Sequence, residues 1–324
     1  MRVRPHGGAD LAPAPCAAND REATMTDRLV CAVDATAQSA GAVCAGVAIG
    51  NALGMRIVLV YVAEPGREPI EALRSRGLAD LERSLVGLPV PADAVRRAEV
   101  GDPAERVVAA ADEEGAALIL AGTRPAGARA KAVFGSVTTR IVELAAMPVV
   151  IAPQACCESA LAGDPWTTHE VIIAVDGSEE SRAAAALAGR MARRARVTVV
   201  LAHVVPPLPP AAAPPVAVVP PITDADQHAG WRILADARDV IPDPDDVEVE
   251  LRQGVPAREI DRLARERGSD LIALGTRRPG RFRRLLAGSI ADDLAASGER
   301  LVMVIPDDVA RREYQQLTER RAVR

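Results

Sequence analysis

Two stretches of this chain set the same residue types at the same spacing. Gly122 is followed by two residues, Pro125, nine residues and Gly135-Ser136; Gly275 is followed by two residues, Arg278, nine residues and Gly288-Ser289. In each copy an apolar run ends in the first glycine, and the Gly-Ser pair opens a helical pattern. Backbone N–H groups, a hydroxyl and the positive end of a helix dipole at such a point make a nest for a phosphate. Further upstream, Asp34 and Asp176 each end another apolar run, and a carboxylate at that place suits ribose hydroxyls. Each element alone is ordinary turn chemistry. The ordered set occurring twice is far more specific, although a duplication shows shared ancestry rather than retained binding.

Composition narrows the chemistry. Lys131 is the only lysine, so Gly-Lys-Ser/Thr phosphate loops are absent and a lysine-based covalent mechanism has one candidate. The five cysteines, Cys16, Cys31, Cys44, Cys156 and Cys157, lack zinc-site spacing and fit reduced thiols better than a disulfide framework. The net charge of -5 gives no general reason to expect nucleic acid or an anionic membrane as partner. No apolar run approaches the roughly 20 residues that span a bilayer. A cytoplasmic protein is expected. The four histidines assemble no catalytic constellation with a serine or a metal; His203 reads as a packed residue near the crevice, His169 and His228 as surface positions.

The elements that must hold these residues follow from periodicity. Residues 1–27 have none and predict a disordered tail; Met25 is read as an alternative start. Apolar runs at 29–33, 56–62, 94–100, 117–121 and 148–152 predict strands, with helices over 37–53, 67–87, from Pro103, and over 136–146. Gly54 is placed to cap the first helix in the left-handed conformation. Strands alternating with helices imply parallel crossovers. The pattern breaks at 154–168, read as a linker, and then restarts. Asp34 and Asp176 lie 142 positions apart, as do Tyr61 and His203; Gly101 and Gly254 lie 153 apart, as do Gly122 and Gly275. The eleven extra residues fall between the second and third strands of the second half, where the run Pro206–Pro221 predicts an extended surface loop. A charged tail covers 307–324.

At these residues the chain resembles a tandem universal stress protein, with one UspA-type domain over 28–153 and another over 169–306. The resemblance implies two doubly wound α/β domains, Rossmann-like, each with five parallel strands in the order 3-2-1-4-5, packed as an internal pseudo-dimer. Family members carrying the glycine signature bind ATP. Carried over, Asp176 and Asp34 would contact ribose, the backbone of Val204 and Val62 would contact adenine, and Gly275 with Gly288-Ser289, or Gly122 with Gly135-Ser136, would hold ribose and triphosphate. ATP, with or without Mg2+, is the expected cofactor, in a homodimer of whole chains that also meets an unidentified protein partner.

The departures rank the two halves. The family's second glycine is Pro125 in one half and Arg278 in the other. Proline has no N–H to offer a phosphate, whereas arginine can supply charge-assisted hydrogen bonds. The run Arg277–Arg284 is either an electropositive lid or a solvated loop paired with carboxylates. Asp176 is followed by Gly177-Ser178-Glu179, closer to the family pattern than Ala35-Thr36-Ala37 after Asp34. The second half is therefore the expected nucleotide site. The alternative is an interaction protein of the same fold that has lost nucleotide binding. Turnover beyond slow hydrolysis is not expected, since no base is identifiable, and an ATP-consuming ligase is disfavoured because no Ser-Gly-Gly loop precedes either aspartate.

Overall fold

A computed structural model of the chain describes residues 28–123, 135–161, 169–206, 223–276, 290–296 and 298–307, with 309 and 311. Pro125, Arg278, Gly288, Ser289, the arginine run, the N-terminal 27 residues and the proline run from 207 onward lie outside them.

The first half runs β1 (Arg28–Val33), α1 (Ala37–Leu53), β2 (Arg56–Ala63), α2 (Ile70–Ser84), β3 (Val95–Val100), α3 (Pro103–Glu113), β4 (Leu118–Gly122), α4 (Ser136–Leu144) and β5 (Val149–Ala152). After α5 (Ala155–Leu161) the second half repeats the order with β6 (Glu170–Ala174), α6 (Glu179–Ala195), β7 (Thr198–Val205), α7 (Asp224–Arg238), β8 (Val247–Gln253), α8 (Pro256–Arg267), β9 (Leu271–Thr276), α9 (Ile290–Ala296) and β10 (Leu301–Pro306). The ten strands form one sheet in the order β3-β2-β1-β4-β5-β10-β9-β6-β7-β8.

Strand pairs within each half are parallel. The halves join where β5 and β10 run antiparallel, with Met303 opposite Val150. The physical reason is the composition of those two strands. Val149–Ala152 and Leu301–Ile305 are almost wholly buried, and as free edges they would offer unpaired backbone groups beside apolar side chains. Pairing them with each other turns two liabilities into the centre of the sheet.

Both faces are covered, which is why the strands read as unbroken apolar runs. One core layer gathers Leu29, Leu59, Leu120, Ile173 and Leu201 under α1, α2, α6 and α7; the other gathers Val30, Val58, Ile119, Ile172 and Val200 under α3, α4, α8 and α9. The first helix spans its expected residues, and Gly54 caps it at φ 63°. Asp102 caps α3 by accepting from the Glu105 N–H at 3.0 Å, with Pro103 in the first turn. Thr223 and Asp226 form a reciprocal capping box that starts α7.

The stretch 154–168 is more than a connector. Residues 155–161 form α5, which packs on α1 and buries Cys156 and Cys157. Burial pushes the Cys31 thiol up to about 12, and it pushes Cys156 to about 12 with help from the Asp270 charge. Burial shields both thiols, as suits side chains that pack. Of the charged tail, Arg311 docks back on the second half, donating to Asp307 at 2.6 Å and Glu180 at 2.7 Å.

At the outer rim of the first half, β3 and α3 are tied by ions. Glu99, 5% exposed, receives Arg97 at 2.8 Å and Arg106 at 2.7 Å. Burial alone would raise its carboxyl, but hydrogen bonds from Arg97 and Arg106 outweigh it and hold the group below the usual glutamate range. A depressed folded value contributes stability above the unfolded pKa and loses it as pH falls through the folded one. Glu99→Gln is therefore expected to cost about 1–3 kcal/mol at pH 7. In urea unfolding the gap to the parent should close as pH drops below about 4.

Candidate functional site

Strand order reverses between β1 and β4 in the first half and between β6 and β9 in the second, since β1 pairs with β2 and β4, and β6 with β7 and β9. The carboxyl ends at such a switch point diverge and leave a crevice. In the second half this crevice is a cavity of about 250 Å³, and its lining includes Asp176, Val204, Gly275, Thr276, Ser181 and Ile290. Three of the expected residues, two from the strands β7 and β9 and one from the turn after β6, are thus brought to one space.

Asp176 is exposed at the mouth of the turn after β6. Its Oδ1 accepts from the Ser178 N–H at 2.9 Å and from the Ser178 hydroxyl at 2.5 Å. The same serine caps α6 by accepting from the Ser181 N–H at 3.1 Å. The carboxylate is thereby set in one orientation at the start of a helix, so little ordering remains to be done when a ligand arrives.

Val204 contributes its backbone. The Ala202 carbonyl accepts from the Val175 N–H at 2.9 Å, so residue 202 faces β6, and the Val205 carbonyl accepts from the Gly254 N–H at 3.1 Å, so residue 205 faces β8. Backbone directions alternate along a strand. Val204 therefore directs both its N–H and its C=O to the β6 side, beyond the last β6 partner, Ala174 opposite Ala202. An N–H and a C=O side by side at the rim of a cavity can read a planar group that carries one acceptor and one donor.

Gly275 is present for a reason the residue pattern did not indicate. A Cβ there would lie 2.9 Å from the Ala184 Cβ and 3.0 Å from the Glu180 carbonyl oxygen. What approaches this glycine is helix α6. His203 is buried beside the crevice with Nδ1 2.8 Å from the Val175 carbonyl; that contact fixes Nδ1 as the protonated nitrogen. His169 and His228 are exposed.

The first half has the same frame with different fittings. The Asp34 Oδ1 accepts from the Thr36 N–H at 2.9 Å and its hydroxyl at 2.5 Å, but Thr36 makes no side-chain cap to α1. The Ala63 carbonyl accepts from Gly101, which turns Val62 toward β1 as Val204 is turned toward β6. Gly135 caps α4 at φ −57°, a conformation open to any residue, and Ser136 begins the helix and is exposed. The Thr138 hydroxyl donates to the Gly122 carbonyl at 2.8 Å, tying α4 onto the end of β4. At the matching place in the second half stands Ala291, which has no hydroxyl, and that end of β9 lines the cavity. The sequence carries this Thr/Ala difference; its meaning needs the geometry.

Among the described residues no group of three or more His, Cys, Asp or Glu could hold a metal ion, and no helix is long and apolar enough to cross a membrane. A family model described as the universal stress protein family matches residues 25–153 and again 167–306. The stress response protein NhaX of Bacillus subtilis is 24% identical over 159 residues, covering 42% of this chain and 96% of that protein. A universal stress protein of Mycolicibacterium smegmatis is 26% identical over 204 residues, covering 59% of this chain and 62% of that one. Among solved structures, a universal stress protein from Archaeoglobus fulgidus superposes with a TM-score of 0.63 at 18% identity, over 88% of this chain and all of the other. At that identity the likeness concerns the fold.

Proposed function

Because the chain belongs to the universal stress protein family, we propose that its second half binds ATP and that the bound nucleotide sets the protein's shape or partner choice during stress adaptation. The observation that carries this reading is the meeting of Asp176, Val204 and Gly275 at one switch-point cavity. In it the Asp176 carboxylate would accept from ribose hydroxyls. The Val204 N–H would donate to adenine N1, and its C=O would accept from the N6 amino group. The phosphates would extend toward Arg278, Gly288 and Ser289, with or without Mg2+. Nothing around the cavity is assigned a hydrolytic step, and the reading is of a binding protein in the cytoplasm, with whole chains pairing as homodimers.

The first half supports a different reading. The Thr138 hydroxyl engages the Gly122 carbonyl, a bond that Ala291 cannot make in the second half, and Pro125 lacks an N–H. We take Asp34, Val62, Gly122, Gly135 and Ser136 as a nucleotide-site frame that serves packing. Purified protein should release adenine nucleotide on acid denaturation or, if emptied in preparation, take up labelled ATP in equilibrium dialysis at micromolar concentration. Failure of both would favour the interaction protein without nucleotide.

A further inference from the structure

The two ends of the ten-stranded sheet are built from matching segments, β3–α3 and β8–α8. Three positions of their apolar faces match, Ala104, Val107 and Ala111 buried in α3 and Ala257, Ile260 and Ala264 buried in α8, while the larger Leu263 stands where α3 has Ala110. Both segments enter through a glycine and a first-turn proline, Gly101 with Pro103 and Gly254 with Pro256. Apolar burial is non-directional, so the shared positions do not tell one segment from the other. Edge segments are also those most able to detach and pair elsewhere.

The charges differ in a systematic way. In the first half Arg28 pairs with Glu114, Arg97 with Glu114 at 3.0 Å and with Glu99 at 2.8 Å, and Arg106 with Glu99 at 2.7 Å. Their counterparts, by the offsets that align the halves, are Glu170, Glu250, Arg252, Glu259 and Arg267. Each of these five signs is reversed, while Glu113, which also pairs with Arg97, keeps its sign in Glu266, which pairs with Arg252 at 2.9 Å. Four of the reversed five pair among themselves, Glu170 with Arg267 at 2.8 Å, Glu250 with Arg267 at 3.8 Å, and Arg252 with Glu250 at 3.4 Å, while Glu259 pairs with Arg262 at 3.2 Å. Side-chain exposures of 16% for Glu114, 14% for Glu170 and 24% for Arg267 place these ions where their signs are felt.

We propose that the reversed charges are an address that docks each outer segment in its own half and excludes exchange with the other, within a chain and between chains. Moving β8–α8 into the first half would set Arg267 against Arg28. Moving β3–α3 into the second would set Glu114 against Glu170. Exchanging a helix alone would add Arg97 against Arg267 and Glu250 against Glu114. A cross-half exchange between chains is head-to-tail, an arrangement that builds rings where it closes and filaments where it does not. Like-charge contacts that penalise the wrong partner are a recognised route to specificity, and repeat proteins are prone to such misassembly.

The test erases the difference without erasing the pairing. One full-length variant carries the second half's residues in the first: Arg28→Glu, Arg97→Glu, Glu99→Arg, Arg106→Glu and Glu114→Arg. The second half is itself the precedent that this set of signs folds. A reciprocal variant adds Glu170→Arg, Glu250→Arg, Arg252→Glu, Glu259→Arg and Arg267→Glu, restoring opposite addresses with the signs exchanged. After dilution from denaturant, the first variant should give several-fold less protein at the parent's elution volume, with the remainder at high mass, and the reciprocal variant should recover most of the yield. Parent-like refolding of the first variant overturns the proposal. So does a loss that the reciprocal changes fail to rescue, because it would show that individual side chains matter and their relation across halves does not.

Discussion

Asp176→Ala should weaken ATP binding by about 100-fold, while Asp34→Ala should leave it within about twofold. The magnitude follows from two hydrogen bonds from ribose hydroxyls to a charged acceptor, each contributing about 1.5 kcal/mol or slightly more; about 3 kcal/mol is two decades in affinity. Because Asp176 is exposed and its turn is also held by the Ser178 cap on Ser181, the substitution should change binding far more than stability. Fluorescence competition against a labelled nucleotide would measure both constants. Equal losses from the two substitutions would mean that both halves bind and that the ranking of the crevices is wrong.

The second large effect concerns Gly275. If this residue served only to admit a ligand, a side chain there would alter binding and leave the apo fold untouched. The contacts predict the reverse order of damage. A valine must displace the Ala184 Cβ and the Glu180 carbonyl, the latter being helix backbone in a close-packed layer, and overpacking of this kind costs about 3 kcal/mol. Gly275→Val should therefore unfold at lower urea concentration with no nucleotide present. An unchanged urea midpoint would return Gly275 to a purely ligand-facing role.

Much of the frame was legible because buried parallel strands write themselves as apolar runs: Leu29–Val33, Val58–Val62 and Leu271–Leu274 read as strands on composition alone, and the constant offsets aligned the halves. The helix ends were legible wherever a residue is forced by conformation, as at Gly54 and Pro103. What failed to show was tertiary. Helix α5 is only seven residues long, too short to display a period, and it is helical because α1 offers a surface for Cys156 and Cys157. The meeting of β5 and β10 is the internal pseudo-dimer that the family resemblance implies; a run of valines by itself suggests only an edge in need of a partner.

The same division holds for the site. Asp34 and Asp176, Gly122 and Gly275 were singled out as candidates by type and spacing, and the fold brings Asp176 and Gly275 to one cavity. Their inequality was only half visible. Pro125 and Arg278 could be read from the residues, but the hydrogen bond from Thr138 to the Gly122 carbonyl needs α4 folded against β4 before the hydroxyl has an acceptor. Likewise, that Val204 presents both backbone groups beyond the end of β6 follows from strand register, which no single residue encodes. The reversed ion pairs were present in the residues throughout, but they become a pattern only when β1, β3 and α3 meet at one corner.

On the proposed reading, one crevice of the two holds the nucleotide. Calorimetric titration of the nucleotide-free full-length protein with ATP tests it directly. One equivalent of ATP per chain is expected, retained in Asp34→Ala and lost at the same concentrations in Asp176→Ala. Two equivalents, or a single equivalent that survives Asp176→Ala, would contradict it.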